Sequence, residues 1–172
     1  MRPDADSPSN LHGECDCSGF VCWAFGVSRF TNHPLYRRLN GGWINTDAMV
    51  ADACDDTGFF KQLGEAEVGC VIVFPASRPQ RKYGHVGIVT EVSLVAGTAK
   101  ITRVLHCSRG NYRAYGDAIV ETSPGSFGKP DAICAWYEGV ERVTSRQPLR
   151  SAENDKRQAF ELQATQAYRP NH

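Results

Sequence analysis

Three residues in this chain have the types and spacing that acyl-transfer chemistry needs: Cys17, His85 and His106. Cys17 lies in Asp16-Cys17-Ser18-Gly19-Phe20, where polar, Gly-rich sequence gives way to an apolar run. Phe20, Val21, Ala24 and Phe25 recur at i, i+1, i+4 and i+5, the pattern of one buried helical face. A thiol on the first turn of such a helix meets unpaired backbone N–H groups and the positive end of the macrodipole, which favour thiolate. A nucleophile also needs a base. His85 stands in the strand-like Tyr83-Gly84-His85-Val86-Gly87-Ile88-Val89, 68 residues after Cys17, between glycines that let other groups approach. His106 closes a second strand-like run, Val104-Leu105-His106-Cys107-Ser108. Cysteine, then histidine, then a polar group that orients the first imidazole is the order of papain-like triads.

Each residue also has a plain structural reading. Cys17 alone is one more buried thiol in a chain with seven cysteines, and His85 alone is a satisfied core histidine. His106 alone is a surface residue at a strand end. Asp16 and Ser18 flank the nucleophile and serve either as supports of its loop and substrate contacts or as ordinary helix caps. Together, the three blocks resemble the signature blocks of the NlpC family, papain-like cysteine peptidases that cut the stem peptides of bacterial cell wall. Val68-Gly69-Cys70-Val71-Ile72-Val73-Phe74 resembles that family's strand before the histidine strand, with Cys70 where Asp is usual. The family's Tyr-bearing segment ahead of the cysteine has no counterpart; His12-Gly13 stands there instead, a departure that bears on substrate preference.

The resemblance spans roughly residues 14–137 and implies an α+β, papain-like fold: a nucleophile helix packed on an antiparallel sheet of about five to six strands. It implies catalysis by Cys17 thiolate, His85 as base and His106 as its orienting partner, with no cofactor and no metal. The implied substrate is a peptidoglycan stem peptide, cut between D-glutamate and the diamino acid. The alternatives are an amidase or acyltransferase on another substrate, and a non-catalytic phage or effector module that keeps the fold.

The elements that must position these residues follow in order. Residues 1–13 read as an irregular lead-in, 14–140 as the catalytic domain and 141–172 as a tail. The nucleophile helix runs from Cys17 to Phe25 and stops at Gly26. Residues 29–42 read as polar and irregular, and a second helix starts at Asn45-Thr46-Asp47 and ends at Gly58. Strands are expected over 68–74, from His85 to Val92, and over 100–105, 118–122 and 132–137. Residues 108–116 read as a loop, and Arg78, Arg81 and Lys82 as a solvated basic turn. The tail either docks as a helix over 151–168, capped at Ser151, or stays partly disordered.

Composition narrows the class. At 172 residues the chain is the length of one domain, where domains run about 100–200 residues. Lys plus Arg and Asp plus Glu are 19 each, so no global field argues for nucleic acid or an anionic membrane. No stretch approaches the roughly 18 apolar residues of a membrane span. An odd cysteine count leaves at least one thiol free, and Cys22, Cys70 and Cys134 sit in apolar runs, which reads as a reduced protein. Zinc at Cys15-Asp16-Cys17 is the competing reading, but a Cys-x-Cys pair without a matching second pair is poor ligand spacing. The first eight residues are acidic and lack the apolar core of a secretory signal. The expectation is synthesis in the cytoplasm, followed by export through another machine, by delivery to the wall by a phage or secretion apparatus, or by a recycling role in the cytoplasm.

Overall fold

The structure, a computed structural model, describes residues 15–76 and 79–141; the lead-in, Ser77, Arg78 and the segment with the expected helix over 151–168 lie outside the described residues. Four α-helices and a six-stranded sheet make up the described chain. Helix α1 (Cys17–Ala24) starts the domain, followed by α2 (Pro34–Asn40) and α3 (Thr46–Asp55). Strands β1 (Phe60–Leu63), β2 (Val71–Phe74), β3 (His85–Val95) and β4 (Thr98–Cys107) come next. Helix α4 (Arg109–Tyr115), strand β5 (Ile119–Thr122), a 3₁₀ turn (Pro124–Phe127) and strand β6 (Ile133–Tyr137) complete it. The sheet order is β1-β6-β2-β3-β4-β5, and every pairing is antiparallel. This is the expected α+β, papain-like arrangement.

Side-chain alternation along the strands divides the core in two. Val71 and Val73 of β2 and Val86 of β3 face the helices, where they meet Phe20, Val21, Tyr36, Ile44 and Met49. Ile72, Phe74, Val89 and Val104 point to the other face, which Phe127 and Trp136 cover. Strand β2 is therefore buried on both sides, the reason it reads as an unbroken apolar run although the sheet is antiparallel. The β3–β4 hairpin turns through Ala96 and Gly97, both at positive φ (51° and 80°), the backbone that a tight two-residue turn requires.

Two helices stand where irregular chain is expected. Helix α2 occupies part of 29–42: Pro34 supplies the first helical residue, Leu35 and Tyr36 bury, and Gly41 closes it in the left-handed region (φ 63°). Helix α4 occupies the expected loop after His106. The Ser108 hydroxyl accepts from the Asn111 N–H at 3.0 Å, and Gly116 ends the helix at φ 75°. Both are seven residues long and carry too few apolar positions to show a period, so their capping residues are their main signature. Arg81 departs from the solvated reading: its guanidinium pairs with Asp131, caps the Pro75 carbonyl at 2.6 Å and lies over the Phe74 ring.

Candidate active site

Helix α1 begins with Cys17 as its first residue, so the thiol sits at the end where backbone N–H groups lack helical partners. Asp16 is the N-cap: its carboxylate accepts from the Gly19 N–H at 2.7 Å and from the Ser18 hydroxyl at 3.1 Å. The Arg29 guanidinium donates to the other Asp16 oxygen and, at 2.8 Å, to Ser18 Oγ. Arg29 is 3% exposed; it lies over the Trp43 ring (4.7 Å to the centroid) and donates to the Ile44 carbonyl at 3.4 Å. A single buried cation thus ties both neighbours of Cys17 to the chain ahead of α3.

His85 is the first residue of β3, opposite Phe74, and His106 lies near the end of β4. Their rings meet edge to face with His85 Nε2 and His106 Nδ1 at 2.8 Å. The far nitrogen of His106, Nε2, is 2.9 Å from Thr122 Oγ1 on β5. The Thr122 hydroxyl donates its proton to the Ser123 carbonyl at 3.0 Å, so its oxygen accepts from His106 Nε2–H. His106 Nδ1 is then the acceptor, His85 Nε2–H the donor, and His85 Nδ1 is left carrying a lone pair. Phe127 stacks on His85 at 5.0 Å and meets His106 edge-on at 5.3 Å.

The glycines around His85 have specific work. Gly87 shares a sheet face with His85, and a Cβ there would stand 2.5 Å from Val104 Cγ1, 2.9 Å from His106 Cβ and 3.0 Å from Phe127 Cζ. A Cβ at Gly84 would strike Thr46 Oγ1 and the Phe74 carbonyl, at 2.2 and 2.5 Å. The room left by Gly87 is filled by the second histidine and the phenylalanine.

The two histidines come together, and Cys17 approaches the same end of β3 from the helix side. The N–H groups of Val86 and Ser18 face its sulfur, so the nucleophile candidate sits against the residue that follows His85. Neither imidazole hydrogen-bonds the sulfur among the described residues. Burial first, then the Asp16 carboxylate, push the Cys17 thiol up to about 11; the Val86 and Ser18 N–H groups and Arg29 pull the other way without prevailing. Burial, then the charge of His106, lower His85 to about 4. Burial also lowers His106. Desolvation thus works against the thiolate that the helix terminus favours, raising the Cys17 thiol and lowering the His85 imidazole.

Sequence reading did not single out Arg29, Thr122 or Phe127 as site residues. Thr122 could be sought as the polar residue of a strand next to His106, but Arg29 and Phe127 carry no local signal. Among the described residues no three His, Cys, Asp or Glu side chains are grouped so as to hold a metal ion.

A cysteine at the start of a buried helix, packed on an antiparallel sheet that carries paired histidines, is the arrangement of the papain-like cysteine peptidases and amidases. Within that group, the CHAP domain matches residues 7–103, more than half of the chain, and the chain belongs to the CHAP family. The match includes Cys17 and His85 and stops three residues short of His106. CHAP domains are peptidoglycan hydrolases of the amidase and peptidase type, and membership gives this chain that general activity and substrate. No curated protein and no solved structure matches the chain. No helix among the described residues is long and apolar enough to cross a membrane.

Proposed function

We propose that this protein is a cysteine peptidase of peptidoglycan stem peptides, with Cys17 as nucleophile, His85 as general base and His106 as the group that orients it. The observation that carries the reading is the hydrogen-bond chain from Thr122 through His106 to His85. It leaves an unprotonated Nδ1 on an imidazole next to the residue whose N–H faces the Cys17 sulfur. In the substrate complex the Cys17 thiol closes on that nitrogen, as catalytic hydrogen bonds do once substrate is bound.

The reaction starts from neutral partners. His85 Nδ1 takes the thiol proton as Sγ attacks the amide carbonyl, so charge develops only in the transition state. The Cys17 N–H, at the helix terminus, is one donor to the oxyanion. The imidazolium then returns the proton to the leaving amine, and water, activated by the same nitrogen, releases the acyl group from sulfur. His106 accepts from His85 Nε2–H throughout and steadies the imidazolium. Asp16 and Ser18 hold the nucleophile segment through Arg29.

The resemblance to NlpC blocks points to the bond between D-glutamate and the diamino acid. The CHAP match fits equally an amidase that removes the whole stem from its sugar. Mass spectrometry of peptidoglycan fragments, after incubation with the protein and in parallel with Cys17→Ala, tests both. Fragments that appear only with the thiol establish the hydrolase, and their masses identify the bond. No new fragments, together with a Cys17 no more reactive toward iodoacetamide in the presence of substrate than a free cysteine of pKa about 8.5, would overturn the catalytic reading in favour of a module that keeps the fold without turnover. Delivery to the wall by a phage or secretion apparatus is part of the same proposal.

A further inference from the structure

Two thiols that the reaction does not use lie on either side of the site. Cys15 stands one residue ahead of the Asp16 cap, and Cys107 directly follows His106. Both are buried, and their sulfurs are 3.4 Å apart, although 92 residues separate them in the chain. The Cys15 thiol donates to Cys107 Sγ, and the Cys107 thiol donates to the Cys15 carbonyl at 3.2 Å. A sulfur–sulfur bond is about 2.0 Å, so roughly 1.4 Å of closure separates contact from bond.

We propose that Cys15 and Cys107 are an oxidation site, a dithiol that closes to a disulfide and ties the nucleophile segment to the strand carrying His106. The oxidant class is a low-molecular-weight or protein disulfide, glutathione disulfide being the simplest. Cys15 is the entering thiol: once it gives up the proton it shares with Cys107, the Cys107 thiol turns to donate to the Cys15 sulfur and favours its thiolate. Cys15 thiolate attacks one sulfur of the oxidant and expels a thiolate, which takes up a proton. Cys107 then loses its proton and attacks the Cys15 sulfur, releasing the second thiol. Two protein thiols are oxidised, and one disulfide is reduced to two thiols. Burial makes the first step wait on local opening ahead of α1.

The product leaves Cys17 untouched and closes a long loop. Cross-links that close long loops constrain the unfolded chain most, so the oxidised form is the more stable one. Neither consequence depends on the catalytic reading, and the test removes the nucleophile so that failure of one does not count against the other.

The full chain carrying Cys17→Ala is equilibrated with glutathione disulfide, quenched in acid, alkylated, digested without reduction and analysed by mass spectrometry with fragmentation. The expected result is a cross-link of Cys15 to Cys107, scored separately from any between the neighbouring Cys70 and Cys134, with the melting temperature raised by about 5–10 °C and restored by a thiol reductant. Cys54 is exposed, and its mixed disulfide with glutathione reports that the oxidant was active. Cys15→Ala and Cys107→Ala, each added to the same background, both lose the cross-link and the shift, so the result does not hang on one variant folding. Modified Cys54 beside separately alkylated Cys15 and Cys107 would overturn the proposal. In the unsubstituted chain, a dominant cross-link to Cys17 instead would do the same.

Discussion

The chain around Cys17 and the strands around His85 reach the same end of β3 from opposite faces of the sheet, and they are held by different kinds of force. On the helix side the fixing groups are charged: the Asp16 carboxylate and the Arg29 guanidinium, with Ser18 between them. On the other side they are neutral: two imidazoles, a hydroxyl and the Phe127 ring, placed by strand register and by the missing side chain at Gly87. The ionic lock is strong and local, and it costs a great deal if one partner is lost. The neutral relay is weaker bond for bond but sets a tautomer, which the lock cannot do. In the proposed reaction the nucleophile segment needs position, and the base needs position and one particular proton.

The largest effect expected from breaking either side is on turnover. Cys17→Ala and His85→Ala each lower kcat by about 10⁴-fold or more, with folding intact by circular dichroism. His106→Ala loses less, since it acts through His85. Retained activity in Cys17→Ala would remove the nucleophile assignment.

Next comes the lock. Arg29→Met leaves the Asp16 carboxylate without its buried partner and lowers stability by about 3 kcal/mol, read by urea denaturation. Asp16→Asn added to it costs little more, because the partner it would lose is already gone. If the two single losses simply add, the pair is not what fixes the loop.

Acid and base probe both sides at once. His85, lowered to about 4 in the fold against about 6.5 when unfolded, binds its proton more readily in the unfolded chain. Its share of stability is whole above pH 6.5 and is lost as pH falls through 4, about 3 kcal/mol in all. Cys17, raised to about 11 against about 9, works in the opposite direction: stability falls as pH rises above 9. Thermal unfolding across pH should show a plateau between, and Cys17→Ala should make its alkaline limb shallower, with Cys22 and the other raised thiols keeping the rest. Thiolate ultraviolet absorbance from Cys17 at neutral pH would contradict the neutral resting pair.

The smallest effect is on the relay's far end. Thr122→Val keeps the shape and loses the acceptor for His106 Nε2–H, lowering kcat about 10-fold with KM unchanged, while Thr122→Ser retains activity. Nitrogen NMR of the histidine rings gives the readout that a structural role would not move: His106 shifts away from the Nε2–H tautomer only in Thr122→Val.

Much of this site is legible in the chain itself. Helix α1 starts at Cys17 because Asp16 caps it, and the expected end at Gly26 is one residue past the observed Phe25 cap, with Gly26 at φ 67°. Helix α3 starts after Asn45, whose side chain accepts from the Ala48 N–H at 2.9 Å, again a local signal. Strand β3 runs past the expected Val92 to Val95, and β4 extends beyond 100–105 at both ends, since pairing lengthens strands that alternation alone cuts short. Helices α2 and α4 were not legible, because tertiary burial of Leu35, Tyr36 and Asn111 holds segments whose own composition is polar.

By itself, then, the sequence determined the residue types, their order and the local turns: a capped cysteine, two strand histidines, glycines beside the first, and the two-sided apolar run of β2. Those depend on short-range sterics, capping and period, which neighbouring residues carry. The tertiary structure alone decided that Arg29 joins Asp16 to Ser18, that Thr122 sets the His106 tautomer, and that Cys15 meets Cys107. It also set the surroundings that raise the Cys17 thiol. A helix terminus promises thiolate, but ionisation answers to the whole surrounding dielectric, and only the packed fold shows how far water has been excluded.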